Sequence, residues 1–227
     1  VAVVDKVRIY GPPRAKEANP TGIGAGNHVK FYTYVFTPRG FDGQRLPLLV
    51  LPHGGVHADF TTYHAHIVRE LVAQRYVVVA PEYRGSTGYG RGFYEASDYG
   101  GREVEDCLAA RDWAVANHPR VDGERVGIIG WSHGGLIALM SLFDHPASYA
   151  CAFAGVPVSN LVMRMGYLGP DYQAHYDAEH HIGQTPAENL EEYKRRSPVY
   201  HVEKLTKPLR IHTNPHDEDV NYIEVEH

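Results

Sequence analysis

The sequence predicts an α/β protein built on a doubly wound, mostly parallel sheet with helices on both faces. Short, nearly continuous apolar runs at 48–51, 76–80, 126–129 and 150–155 suit strands covered on both faces. Segments with helical spacing lie between them, and strands alternating with helices in this rhythm give parallel pairs joined by right-handed crossovers. A Gly-x-Ser-x-Gly turn falls where one of these strands meets the next helix.

Along the chain, 29–36 alternates as a half-buried strand does, and the turn-rich 38–47 that follows marks an antiparallel edge. The strands at 48–51 and 76–80 are joined by a helix over 63–74, spaced by Ile67, Leu71 and Val72. The unit repeats with a helix at 104–117, a strand at 126–129, a helix at 134–143 and a strand at 150–155. After Pro157 a segment rich in Tyr, His and Glu runs to about Val202 before a strand resumes at Leu209–His212. This excursion is expected to form a cap or lid, because long irregular departures from a compact sheet are often functional.

Composition narrows the function classes. With 43% hydrophobic and 22% charged residues and a formal net charge of −5, the chain has a globular composition. Its 22 basic residues are outnumbered by 27 acidic ones, which argues against nucleic acid as a partner. No apolar stretch approaches the roughly 18 residues a membrane span needs. Cys107 and Cys151 sit in apolar sequence and are expected as buried thiols. No signal peptide is visible, so a cytoplasmic location is expected. The 15 histidines include His64 with His66, and His175 with His180 and His181. No zinc-type spacing accompanies them, so hydrogen-bonded or solvated histidines are expected, with no metal and no cofactor.

The chemistry concentrates at Gly130-Trp131-Ser132-His133-Gly134-Gly135, between the strand at 126–129 and the following helix. A plain glycine-rich turn can carry the same letters, but its position matches a nucleophile elbow. There a strand reverses sharply into a helix so that the serine hydroxyl projects above the sheet, and glycines relieve the crowding around it. Ser132 is the expected nucleophile, and the His133 N–H at the positive helix end can donate to a developing oxyanion. Pro52-His53-Gly54-Gly55 closes the earlier strand, where an α/β-hydrolase fold carries its oxyanion loop. Gly54 or Gly55 is expected to supply the second N–H. His53 is expected as a scaffold residue of that loop.

These residues resemble the catalytic domains of the prolyl oligopeptidase family, in particular its acylaminoacyl-peptidase-like members. The likeness rests on 48–55, on Pro81-Glu82-Tyr83-Arg84-Gly85-Ser86-Thr87-Gly88-Tyr89-Gly90, on Gly100-Gly101 with Val104 and Asp106, and on the elbow. Arg196-Ser197-Pro198 and Asp217-Glu218-Asp219-Val220 extend it, so that it spans most of 46–220. The resemblance implies a serine hydrolase that cleaves a peptide or carboxylic ester through an acyl-enzyme, acting on a short peptide or small ester. A homo-oligomer is compatible with it. It places the triad acid on Asp217, with Asp219 as competitor, and Leu161, Arg164 and Val220 near an acyl or side-chain pocket. Those three can equally be core or rim residues.

One member is missing from the pattern. The triad histidine should follow the acid after a helix and a strand, yet only His227 lies downstream of Asp217, on what reads as the opening of a helix over 221–227. The expectation is a single catalytic domain over 1–227, incomplete at its C-terminus and without the β-propeller of larger relatives. Two rivals follow: a single-domain carboxylesterase, and an inactive binding domain lacking the histidine.

Overall fold

A computed structural model describes residues 1–17, 19–40, 43–177 and 181–226. Among them are seven strands in one sheet, β1 (Ala2–Pro13), β2 (His28–Pro38), β3 (Leu46–Val50), β4 (Val77–Pro81), β5 (Val121–Trp131), β6 (Cys151–Gly155) and β7 (Leu209–His212). Their order is β1-β2-β4-β3-β5-β6-β7. Only β2 runs against its neighbours; β4, β3, β5, β6 and β7 are parallel. The helices are α1 (Ala65–Ala73), α2 (Arg91–Tyr94), α3 (Arg102–Asn117), α4 (His133–Asp144), α5 (Leu161–Tyr167), α6 (Gly169–Asp177), α7 (Leu190–Arg195) and α8 (Tyr222–Glu226). This is the α/β-hydrolase fold.

Burial follows from sequence pattern. Every residue of β4, Val-Val-Val-Ala-Pro, is buried, as a central strand covered on both faces requires. Helix α4 is buried along almost its whole length, from His133 to Phe143, which matches its apolar character all round. Helix α3 instead buries one stripe, with Val104, Cys107, Ala110 and Ala114 facing inward, and carries Glu103 and Glu105 in its first turn, where the helix dipole favours acids. On α1 the buried residues are Val68 and Val72, while Ile67 and Leu71 are partly covered.

Two details differ from expectation. Strand β1 was not foreseen: half of its residues are exposed and only Ile9 and Gly11 are buried, so it lacks the continuous apolar face that identifies a strand by pattern. Cys107 is buried, but Cys151 is exposed. Cys151 pairs across the ladder with Gly127, and a residue without a side chain leaves the thiol uncovered.

Past β6 the chain leaves the sheet through α5, α6 and α7 and returns at β7. Buried Glu224 of α8 holds the start of this excursion, accepting from the Ser159 and Asn160 N–H groups at 2.7 and 3.1 Å. No helix among the described residues is long and apolar enough to cross a membrane.

Candidate active site

Ser132 stands at the end of β5 with φ 55° and ψ −120°, a backbone conformation that costs a non-glycine residue about 1–3 kcal/mol. Its neighbours hold it there. Its N–H donates to the Gly155 carbonyl at 3.0 Å, and its carbonyl accepts from the Leu136 and Val158 N–H groups at 3.0 and 3.2 Å. The glycines around it answer to space. A Cβ on Gly130 would lie 2.2 Å from the Gly134 carbonyl oxygen, and one on Gly134 would lie 2.5 Å from that of Pro52. The second approach shows that the first turn of α4 packs directly on the 52–55 loop. Ser132 is half-buried, and its hydroxyl has no hydrogen-bond partner among the described residues.

Gly54 lies against this turn: a Cβ there would meet the Trp131 carbonyl oxygen at 3.1 Å and Ser132 Cβ at 3.6 Å. Gly55 follows with φ +64° and is exposed. The His133 N–H opens α4 and belongs to the first turn, whose donors have no partner within the helix. Gly54 and the head of α4 therefore border Ser132, while a Cβ on Gly55 would meet Ala58 instead.

The loop is fixed from below by the 81–90 block. Buried Tyr83 donates its hydroxyl to the His53 and Gly55 carbonyls at 2.9 and 3.0 Å. His53 uses Nδ1 toward the Gly54 carbonyl at 2.9 Å, and its Nε2 lies 2.8 Å from the Ser86 hydroxyl. Burial pushes its pKa down to about 4, so near neutral pH it is an uncharged strut. Arg84, fully buried, forks onto Asp106 of α3 at 2.8 and 2.8 Å and donates to the Pro12 and Pro13 carbonyls of β1 at 2.7 and 3.1 Å. The His133 ring bonds Glu103 Oε1 at 3.1 Å. Burial alone would raise the Glu103 pKa, but the hydrogen bond from His133, with backbone N–H groups including that of Gly100, holds it at about 2.

Glu82 behaves in the opposite way. Burial raises its pKa to about 7, against one backbone bond from the Phe60 N–H at 3.0 Å. An unfolded carboxyl titrates near 4.5, so between the two values the folded state holds the extra proton. Its contribution to stability is present below about 4.5 and is lost as pH rises through about 7. Glu82→Gln keeps the acceptor for Phe60 and removes the charge. The variant should exceed the parent in stability at pH 8 by about 1–3 kcal/mol, with the difference vanishing below about pH 4; thermal melts across that range read it directly.

Register places the candidate acid. Trp131, Gly155 and His212 form one rung across β5, β6 and β7, and strands lie about 4.8 Å apart. The loop bearing Asp217 therefore leaves the same edge of the sheet as Ser132, two strands away. Asp217 is half-buried, and its Oδ1 accepts from the Asp219 and Val220 N–H groups at 2.9 and 2.7 Å. Asp219 points its carboxylate at Arg164, 3.0 Å away. Leu161 and Val220 lie fully inside the main core, and Arg164 is buried among Asp219, Glu224 and the hydroxyls of Tyr167 and Tyr172. His227 and His180 lie outside the described residues.

The prolyl oligopeptidase family profile matches residues 62–227, well over half of the chain and including the elbow and the Asp217 loop. The chain belongs to the prolyl oligopeptidase family. Among its relatives, the acylamino-acid-releasing enzyme of Arabidopsis thaliana is 30% identical over 173 residues, covering 74% of this chain and 22% of the relative. The peptidase YuxL of Bacillus subtilis is 30% identical over 186 residues, or 78% of this chain and 27% of the relative. In fold the chain is similar to Pyrococcus horikoshii acylaminoacyl peptidase, with a TM-score of 0.79 at 21% identity over 98% of this chain and 33% of that one. A puromycin-hydrolyzing peptidase of Mycobacterium tuberculosis gives 0.82 at 24% identity over 99% of this chain and 32% of that one. The chain thus spans about a quarter of the length of these curated relatives.

Within this family member, sequence reasoning did not foresee the partners beneath the turn. The 81–90 block was recognised as a pattern, but the mates of Arg84, His133 and Tyr83 lie 22–30 residues away. A charged residue inside an otherwise apolar helix stripe, such as Asp106 beside Cys107, was the one available signal of a buried partner.

Proposed function

We propose that this chain carries the nucleophile, oxyanion donors and acid of a serine peptidase that cleaves short peptides by two-step acyl transfer. The observation that carries the reading is Ser132 held at positive φ, half-exposed, with Gly54 and the head of α4 packed around it. In this mechanism Ser132 Oγ attacks the scissile carbonyl as its proton passes to a general base. The bond from carbonyl carbon to leaving nitrogen then breaks, the nitrogen takes that proton, and water releases the acyl-enzyme. The N–H groups of His133 and of Gly54 or Gly55 stabilise the oxyanion in each tetrahedral step. Asp217 orients the base and stabilises its charged form. No described histidine bonds Ser132 Oγ, so the base in this reading comes from outside the described residues.

Substrate class follows the relatives named for releasing acylated amino acids, and we assign N-acylated short peptides as the preferred class. The full-length protein should cleave an N-acetylated peptide anilide at least about tenfold faster, in kcat/KM, than the same compound with a free amino terminus, about 1.4 kcal/mol of transition-state preference. Hydrolysis of simple p-nitrophenyl esters with no cleavage of either peptide would contradict the assignment and make the protein a carboxylesterase.

A further inference from the structure

Away from Ser132 the described residues contain one gathering of three imidazoles. His57 lies two residues beyond Gly55, His175 is on α6, and His181 lies in the segment after it. One nitrogen from each falls within 4.8 Å of the others. His175 and His181 stand close together in the sequence, whereas His57 joins them from 124 positions before His181.

The hydrogen bonds fix which nitrogens face inward. His57 Nδ1 lies 2.8 Å from the Gly85 carbonyl, and His181 Nδ1 lies 2.9 Å from the His175 carbonyl. A carbonyl only accepts, so each Nδ1 carries the hydrogen and each neutral ring presents the Nε2 lone pair. Those two Nε2 atoms are 2.8 Å apart. Two lone pairs at that distance repel unless a cation stands between or beside them. A metal ion can use one nitrogen of each of the three rings, which all lie within 4.8 Å of one another.

We propose that His57, His175 and His181 form a binding site for a divalent transition-metal ion, best suited to Zn2+, which clips the α6 segment to the 52–57 loop. Neutral imidazole is a favoured ligand for Zn2+, and three histidines leave a fourth tetrahedral position for water or a carboxylate. Nitrogens at about 2.0–2.1 Å from zinc stand roughly 3.3 Å from one another, so the His57–His181 pair opens by about half an ångström and His175 draws in. The surroundings are already arranged as a metal site requires. Each inward ring nitrogen of His57 and His181 is backed by a carbonyl on the opposite nitrogen, the arrangement that orients zinc-bound histidines. Tyr94 stacks on His57 at 3.5 Å and 8°, restraining its plane. His181 is buried while His57 and His175 are half-buried, which gives an ion a route from solvent.

The test is a calorimetric titration of Zn2+ into the chelator-stripped full-length protein, with the bound metal counted by mass spectrometry. One ion per chain is expected, with affinity falling at least 30-fold in the double variant His57→Gln, His175→Gln and unchanged in His66→Gln, an exposed histidine outside the set. Circular dichroism checks that each variant is folded. If the double variant does not fold, His175→Gln alone serves, with a tenfold loss expected. Co2+ replacement should give the visible absorption of tetrahedral cobalt in the parent and lose it in the variant. Absence of saturable binding in the parent, or equal binding by parent and folded variant, would overturn the site.

Discussion

Ser132→Ala in the full-length protein should lower kcat by about 10^6-fold while leaving its melting temperature within a few degrees of the parent. That magnitude is what loss of the nucleophile costs in a serine protease, where the remaining activity comes from oxyanion and binding contributions. The small effect on stability follows from geometry. Ser132 Oγ makes no hydrogen bond among the described residues, and the bonds that hold the turn are made by its backbone N–H and carbonyl. Alanine removes the hydroxyl and keeps those bonds, although the positive φ of 55° remains a strain for it. A variant retaining more than about a hundredth of parental turnover would move the nucleophile elsewhere.

The second large effect is on stability. Asp106→Asn should destabilise the fold by about 3–5 kcal/mol, because it leaves the Arg84 guanidinium buried without its counter-charge. Both side chains are wholly inaccessible and lie 2.8 Å apart. For a protein of this size the loss corresponds to a fall of roughly 10 °C in melting temperature. The pair also sets the position of β1, through the Pro12 and Pro13 carbonyls that Arg84 reaches, and a Cβ at Gly11 would collide with the Asp106 carboxylate. The cost should therefore appear first as loosening of β1, readable by hydrogen exchange. Replacing both partners together, as Arg84→Met with Asp106→Leu, should recover much of the loss, since no charge is then left buried and alone. Destabilisation of Asp106→Asn by less than 1 kcal/mol would show that the pair does not carry this part of the fold.

How much of this was legible beforehand depended on whether the information is local. The central strands announced themselves because burial on both faces demands unbroken apolar runs, as in β4. The elbow was legible because its pattern is local: glycine at 130 is required by the Gly134 carbonyl four residues on, although glycine at 134 answers to the Pro52 carbonyl from a distant loop. Strand β1 was not, since half of its side chains are exposed and its place is set by a backbone ladder with β2, tens of residues on. The exposure of Cys151 depends on the absent side chain of Gly127, a cross-strand fact. The struts beneath the site, Tyr83 on the 52–55 loop and Glu103 on His133, are pairings across tens of residues. Type and spacing point to the candidate reactive turn more readily than to the side chains that brace it, because a turn is a local geometry and a buried hydrogen bond between distant residues is not.

The acyl-enzyme mechanism rests on Ser132 being accessible and activated in the full-length protein. Reaction with a fluorophosphonate, followed by mass spectrometry of the digested protein, tests this most directly. The mechanism predicts a single adduct on the peptide containing Ser132, abolished in Ser132→Ala. An adduct on another residue, or no adduct on a folded full-length protein, would contradict it.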